Sequence, residues 1–492
     1  MAHSARLRTF FAIFAANFCI MLIGREKEKQ LLQDTLTQEY SQFIAVYGRR
    51  RVGKTFLIRE AFDYNFYFQF TGSANISNRK QLAKFRSALK EQGLVDVASS
   101  ITSWMEAFAE LRRFINQQPT GKKVVFFDEL PWMDAPRSGF LSELESFWNG
   151  WASARKDIVF VVCGSATSWM MKKIVKNKGG LHNRLTRRIM LEPFPLRLCE
   201  EFVKSLGIIF TRKQILEAYL IFGGIPYYWS LLQRGNSLPQ EIDRLLFSKK
   251  GEMHDEFEML YASLFSSPEP YMRIVALLAH KKKGMTRKEL IEAGKFIDNG
   301  RLSNLLNDLE WCGFIRSYSV LGKKTKSEIY QLIDHYTIFY YTFLIDNPGK
   351  NYWEAIQGTP IYNTWCGLAF ERGCLWHIEQ IKAALGITGV LTNEYAWRYD
   401  GDKTLGLPGV QVDLLIDRND GIIDLCEVKY SKDQYLITEA YHKDLVRKES
   451  VFSLVTKTQK AVHTVMITTN GLTRNAYSGD IQKEVTLEDL FR

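Results

Sequence analysis

The stretch FIAVYGRRRVGKTFLIREAF, Phe43 to Phe62, decides the fold. Its centre fits the pattern G-x-x-x-x-G-K-[ST], a loop that wraps phosphate oxygens in backbone N–H groups. The context agrees. FIAVY is an unbroken β-rich run and FLIREAF reads as helical, so strand, loop and helix follow in order. The glycines permit a tight wrap, and the N-terminus of the following helix adds partial positive charge. Gly48, Arg49, Arg50, Arg51, Val52, Gly53, Lys54 and Thr55 are therefore the candidate nucleotide-binding set. Lys54 would reach the β- and γ-phosphates and the Thr55 hydroxyl would coordinate Mg2+. A chance Gly-Lys turn is the bland alternative, and the strand–loop–helix context argues against it.

A complementary element lies in Val124 to Glu129, VVFFDE. A strand of four apolar residues delivers Asp128 to the Mg2+ shell. Glu129, next in line, can polarise an attacking water. The pair together favours hydrolysis over mere binding. A further apolar run, IVFVVC (Ile158 to Cys163), ends in Gly164-Ser165. Ser165 is a candidate phosphate sensor, or else a simple helix N-cap. Arg184, Arg187 and Arg188 form a basic stretch beyond it. One of them could act as an arginine finger, and a solvated basic face is the plainer reading.

Working outward, 492 residues suggest about three domains at ~150 residues each. With 46% apolar and 24% charged residues, a disordered tail protein, a collagen-like fibre and a polytopic membrane protein are excluded. The formal net charge of +11 is uneven. From Trp365 onward there are 15 basic and 18 acidic residues, and the preceding 364 residues carry 50 basic against 36 acidic. A basic body suggests a polyanionic partner. Seven scattered cysteines without a CxxC pair fit reduced thiols in a cytoplasmic protein, not disulfides or a zinc site. Arg8 to Ile23 is apolar but shorter than the ~20 residues of a membrane span. Met21 is the expected natural start, with residues 1–20 an extension, and no membrane partner is expected.

The strands 43–47, 65–71, 123–127 and 158–163 alternate with helical stretches, which argues for a parallel α/β sheet buried on both faces. The combination GRRRVGKT, VVFFDELPWMD, VVCGSATSWM and FGGIPYYW resembles prokaryotic AAA+-like ATPases of the archaeal-ATPase group, related to the signal-transducing STAND NTPases. The resemblance covers residues 21 to about 265 and implies ATP and Mg2+ as cofactors. It also implies that Pro226, in Gly224-Ile225-Pro226, packs near the adenine. Gly24 and Arg25 match the opening motif of that group, which also lies near the base.

Three helices (272–280, 287–294 and 299–312) and two β-like segments around Gly322 then look like a winged helix with a lysine-rich tip. Leu302, Leu305, Leu306 and Leu309 make the inner face of the third helix, so Arg301, Asn304 and Asp308 should point outward. Such a helix could enter a major groove. Asp308 and Glu310 count against DNA there, and an interdomain module is the alternative reading.

Near the C-terminus, GVQVDLLIDR (Gly409 to Arg418) and IIDLCEVKY (Ile422 to Tyr430) flank Asn419-Asp-Gly421 and read as a hairpin. A three-residue loop would pair Asp413 with Glu427. A two-residue loop would pair Asp413 with Val428 and send Glu427 to the other face. In the first register Asp413, Glu427 and Lys429 share one face, where two carboxylates can hold Mg2+ and Lys429 can steady a scissile phosphate. This arrangement resembles the PD-(D/E)XK nuclease core, and Glu371 matches that family's upstream helical Glu. The Pro that names the motif is absent before Asp413.

The resulting expectation is an α/β chain with defined boundaries: a P-loop ATPase core over 21–195, a helical lid over 196–268 and a winged-helix-like domain over 269–346. A linker over 347–364 and a restriction-endonuclease-like domain over 365–492 complete it. The expected catalytic residues are Glu129, Glu371, Asp413, Glu427 and Lys429, and the metal-binding residues Thr55, Asp128, Asp413 and Glu427. The expected partners are ATP, nucleic acid (DNA before RNA), and a second copy of the chain or another protein. Its alternative is an ATP-driven regulator whose nuclease-like domain only binds.

Overall fold

The computed structural model describes residues 22–117, 120–165, 167–318, 328–346, 348–402 and 406–492. The expectation about residues 1–20 and the lysine-rich tip after Gly322 lie outside the described residues. Among the described residues no helix is long and apolar enough to cross a membrane. The chain divides into two compact units, one of residues 1–192 with 204–207, the other of 193–203 with 208–492.

The first unit is a five-stranded sheet in the order β2-β3-β4-β1-β5. Its strands are β1 (Gln42–Gly48), β2 (Phe68–Thr71), β3 (Lys123–Asp128), β4 (Ile158–Gly164) and β5 (Arg187–Leu191). Every pairing is parallel. β1, β3 and β4 are buried at every position, which is why they read as continuous apolar runs without alternation. Helices α1 (Glu26–Gln33), α2 (Lys54–Ala61), α3 (Asn78–Glu91), α4 (Trp104–Asn116) and α5 (Phe140–Gly150) are the longer helices of the unit. Ser77 and Ser103 cap α3 and α4 by accepting the N–H groups of Lys80 and Glu106. The core is rich in aromatic edges: Phe127 meets Phe68, Phe85 and Phe160 edge-on.

β5 departs from the sequence expectation. Arg187 and Arg188 sit in an edge strand, opposite Ile44 and Ala45 of β1, with Arg188 exposed. Its burial alternates, with Ile189 and Leu191 inside, so the strand hides within a short basic run.

The second unit contains α6 (Arg212–Phe222), α7 (Pro226–Ser230) and α8 (Glu256–Leu264), followed by α9 (Glu269–His280), α10 (Arg287–Gly294) and α11 (Gly300–Trp311). Strands β6 (Met285–Thr286), β7 (Ile315–Tyr318) and β8 (Ile329–Leu332) form an antiparallel sheet in the order β6-β8-β7. Leu302, Leu305, Leu306 and Leu309 are buried. Asp308, expected to face outward, is also buried: it accepts a hydrogen bond from the Tyr271 hydroxyl at 2.9 Å. Glu310 accepts from the Ser317 N–H and hydroxyl at 2.8 and 2.6 Å. Asp308 is thereby taken off the outer face of α11, while Glu310 stays half-buried against β7.

After α12 (His335–Phe339) the stretch expected to be a linker already holds a helical turn at Tyr352–Ile356. Pro360 is the first residue of the sixteen-residue α13 (Pro360–Leu375), capped by Thr359. Proline fits there because the first turn needs no N–H. Then come α14 (Ile378–Leu385), β9 (Thr392–Tyr399), β10 (Val410–Arg418), β11 (Ile422–Lys429), α15 (Glu439–Thr456), β12 (Ala461–Thr468) and β13 (Lys483–Thr486). The sheet order is β13-β12-β11-β10-β9, antiparallel from β9 to β11 and parallel from β11 to β13. Val451 and Phe452 of α15 close a core over Trp397, Val412, Leu415 and Leu425.

His377, buried between α13 and α14, ties this unit together. Its Nε2 accepts the Leu196 N–H at 3.0 Å, and its Nδ1 lies 2.8 Å from the Gly373 carbonyl. That geometry requires a neutral ring, with Nδ1–H donating, and burial brings the imidazole down to about 4. The unfolded chain protonates this ring near 6.5, so the stabilisation is complete above pH 6.5 and is lost as pH falls toward 4. The loss amounts to about 3 kcal/mol at about 1.4 kcal/mol per unit of pKa shift. Urea unfolding of the second unit's transition across that range is expected to show this slope, and His377→Gln to flatten it. An unchanged slope in the variant would refute the assignment.

Candidate nucleotide and C-terminal sites

β3, β4 and β1 are neighbours in the parallel sheet, so their C-terminal ends deliver polar groups to the same edge. β1 ends at Gly48, whose φ is 142°. A Cβ there would stand 2.3 Å from the Leu191 carbonyl of β5, so the loop can leave the sheet only through glycine. Arg51 and Gly53 are also left-handed, at φ 68° and 92°, and turn the chain into α2 at Lys54. A Cβ on Gly53 would meet no atom within 4 Å, so it is the left-handed φ and not space that asks for glycine there.

Lys54 is buried, and its Nζ donates to the Gly48 and Arg49 carbonyls at 3.1 and 2.8 Å. Burial lowers its pKa, against the opposing charges of Glu129 and Asp128. The Thr55 hydroxyl donates to both Asp128 carboxylate oxygens, at 3.2 and 3.0 Å. Burial raises the Asp128 pKa, and the adjoining Glu129 charge raises it further. A hydroxyl and a carboxylate meeting beside an open glycine loop are hard oxygen donors, which suits a Mg2+–phosphate group. The structure thus brings together the P-loop, Thr55 and Asp128.

Glu129 has φ 49° and opens the turn after β3, which carries its carboxylate to Ser165. The Ser165 hydroxyl donates to Glu129 Oε1 at 2.8 Å and the Ser165 N–H to Oε2 at 3.4 Å. Ser165 therefore orients the acid that was read as polarising water. Cys163 is a residue the sequence reading missed. Its buried thiol hydrogen-bonds Asp128, and burial holds the thiol well above its ordinary range. Its only sequence signal is its place at the end of β4.

Arg25 donates through Nη2 to the Glu192 carbonyl at 2.5 Å and lies 3.5 Å from Glu28, so it ties the N-terminal segment to the end of β5. Pro226 is the first residue of α7, in the second unit. The turn before it is tightly held: Phe194 N–H donates to the Gly224 carbonyl at 2.7 Å, and a Cβ on Gly224 would stand 1.8 Å from the Phe194 oxygen.

In the C-terminal sheet, Leu414 pairs with Cys426 through to Asp417 with Ile423. This is the register of the three-residue loop, with Gly421 left-handed at φ 88°, and the same count sets Asp413 opposite Glu427. Against β9 the register shifts between Val412 and Leu415, so Asp413 sits in a β-bulge. Glu427 is buried and both its oxygens are engaged: Lys448 Nζ donates to Oε1 at 2.7 Å and the Tyr441 hydroxyl to Oε2 at 3.2 Å. Lys429 Nζ stands 3.9 Å from Glu427 Oε2 and over the Tyr441 ring. Glu371 is on α13, the helix that packs on β11. Lys448 and Tyr441 were not foreseen, since α15 contributes them from beyond the hairpin. Among the described side chains, no group of three His, Cys, Asp or Glu gathers to hold a metal.

Residues 22–232 match a family described as an ATPase domain predominantly from Archaea. The chain is similar to an uncharacterised protein of Methanocaldococcus jannaschii, 22% identical over 444 residues, covering 88% of this chain and 93% of that one. Among solved structures it is similar to a Walker-type ATPase of Pyrococcus abyssi, at TM-score 0.48 and 19% identity, covering 65% of this chain and 96% of that one. It is also similar to the ORC2 protein of Aeropyrum pernix, at TM-score 0.41 and 14% identity, covering 68% and 95%.

If Glu129 handles the proton of the attacking water, Glu129→Gln lowers nucleotide turnover by about 10²–10⁴ while nucleotide affinity holds. Phosphate release measured beside a fluorescent-nucleotide titration checks this. Parallel loss of both, or loss of neither, contradicts the role.

Proposed function

From residues 22–232, an archaeal-type ATPase domain, we propose that the chain is an ATP-hydrolysing switch coupled to a metal-dependent phosphodiesterase acting on nucleic acid. The observation that carries the switch is the convergence of Lys54, Thr55, Asp128 and Glu129 at one sheet edge. Thr55 and Asp128 would hold Mg2+, which supplies charge neutralisation to the transferring phosphoryl group. Lys54 releases the Gly48 and Arg49 carbonyls to bind phosphate oxygen. Glu129, oriented by Ser165, accepts the proton of the attacking water at its carboxylate.

The phosphodiesterase reading is supported by the order of elements in the last segment, two helices, three antiparallel strands, a helix and two parallel strands. It is supported further by the register that sets Asp413, in a bulge, opposite Glu427, with Lys429 two residues on. Asp413 and Glu427 would hold Mg2+, Lys429 would steady the phosphate and Glu371 would complete the acidic set. Three helices with a three-stranded sheet support a winged-helix module. Burial of Asp308 removes one of the two acids that spoke against DNA on α11, and Arg301 and Asn304 are exposed there.

A second reading is favoured by the grip of Lys448 and Tyr441 on Glu427. A carboxylate whose oxygens are both taken by protein donors suits a domain that binds DNA or a partner without cutting. Plasmid, linear and single-stranded DNA, and RNA, incubated with Mg2+ or Mn2+ with and without ATP, separate the two. Cleavage abolished by Lys429→Ala and altered by Lys54→Ala is the expected result. ATP turnover lost in Lys54→Ala, with no cleavage by the wild type under any condition, would leave the binding reading.

A further inference from the structure

Acidic residues make up 54 of the 492 in the chain. Between Asp157 and Glu192 there is none, against seven basic residues. All seven fall in the connection from β4 to β5 and in β5 itself, Lys172 to Arg188, within the first unit. Lys172, Lys173, Lys176, Lys178, Arg184 and Arg188 are exposed. A surface that only keeps a protein soluble mixes both signs, so a block of one sign marks a partner of the other.

The apolar side chains of the segment turn inward. Ile174, Val175, Leu181, Ile189 and Leu191 are at most 8% exposed, and the first three join the core of the unit. The backbone between them is pinned. Asn177, itself buried, donates from Nδ2 to the Lys173 carbonyl at 2.7 Å and accepts the Gly179 N–H at 2.5 Å. Asn149 of α5 donates to the Gly180 carbonyl at 2.7 Å, and the Thr186 hydroxyl donates to the Phe43 carbonyl of β1 at 3.1 Å. The cations thus stand on a fixed scaffold, and binding costs the freedom of their side chains alone. Glu145 of α5 lies against this loop, where a Cβ on Gly180 would stand 2.6 Å from its carboxylate. One carboxylate against seven cations leaves the segment strongly positive.

The composition of the segment selects among polyanions. Protein partners meet surfaces depleted in lysine, and four of these seven cations are lysines. A lipid surface is held by apolar groups exposed beside the cations. Among the described residues of 171–191, Met190 is the one large apolar side chain that is exposed. Single strands are gripped by stacking their bases on aromatic rings, and no Phe, Tyr or Trp lies between Met170 and Glu192. Duplex nucleic acid needs neither device. It presents one charge per about 1.7 Å of axis, which lysines and arginines neutralise with release of counterions.

We propose that Lys172 to Arg188 is a docking surface for the phosphate backbone of double-stranded nucleic acid, bound without regard to sequence. It belongs to the ATPase unit, whereas α11 and the Asp413–Glu427 pair belong to the second. It shares with the proposed function only the premise of a nucleic-acid partner, and neither ATP turnover nor cleavage enters its test.

Fluorescence anisotropy of the full chain with a labelled duplex of about 30 base pairs, in EDTA and across a salt series, tests it. Lys173→Gln with Lys178→Gln is expected to reduce the slope of log affinity against log salt by about 2, at about 0.9 per phosphate contact. The fall is expected to be equal on two duplexes of unrelated sequence and smaller on a single strand. Lys249→Gln with Lys250→Gln, the same loss of charge in the second unit, is expected to leave the slope unchanged. All four lysines are exposed, so both double variants keep their cores. No duplex binding by the wild type, an equal fall in both double variants, a fall confined to one sequence, or a fall larger on the single strand would each overturn the proposal. So would an effect of the first double variant on phosphatidylglycerol vesicles alone. Duplex binding unmoved by that variant but lost in Arg301→Ala would place the contact on α11, overturning this surface and leaving the proposed function standing.

Discussion

The Thr55 hydroxyl, 3.0 Å from the Asp128 carboxylate, joins the loop after β1 to the end of β3 across β4. The first unit depends on making that distance possible. Parallel strands buried on both faces must be apolar throughout, so their polar groups can stand only at the ends. Because β3, β4 and β1 are adjacent and run the same way, those ends meet. Phosphate loop, acid pair and Ser165 gather there because the middle of the sheet excludes them.

The buried charges at that edge work under strain of a useful kind. Lys54 and Asp128 are both nearly enclosed, and burial disfavours the charged form of each. Lys54 is satisfied by two carbonyls and Asp128 by Thr55, the Glu129 N–H and the Cys163 thiol. These are neutral partners, which a phosphate oxygen or a hard cation can displace with electrostatic gain. Glu129 differs, because Ser165 holds it with a hydroxyl and an amide from the neighbouring strand.

The second unit handles buried polar groups by pairing elements far apart in sequence. Asp308 meets Tyr271, Glu427 meets Lys448 and Tyr441, and His377 meets Leu196. Each contact pins one helix or strand to another, and each would leave a costly orphan if its partner were removed. Trp365 is the contrasting case, a buried donor left without such a partner among the described residues.

What the sequence determined by itself was local or periodic. Gly48 to Thr55 is a contiguous pattern, Asp128 and Glu129 follow an unbroken apolar strand, and the Asn-Asp-Gly loop carries a glycine able to turn left-handed at Gly421. Leu302 to Leu309 repeats at helical spacing. Only the tertiary structure decided the rest. Between the two hairpin registers, burial of alternate residues against α15 made the choice. That Arg187 and Arg188 lie in a strand depends on β1 beside them, 143 residues back at the Ile44–Arg187 pair. Asp308 reads as outward on its own helix and is internal because α9 packs there. Glu427 reads as an available ligand and is held because α15 brings Lys448 to it. In each case the deciding partner is remote in the chain, and a side chain's surroundings are set by what folds against it, which local pattern does not encode.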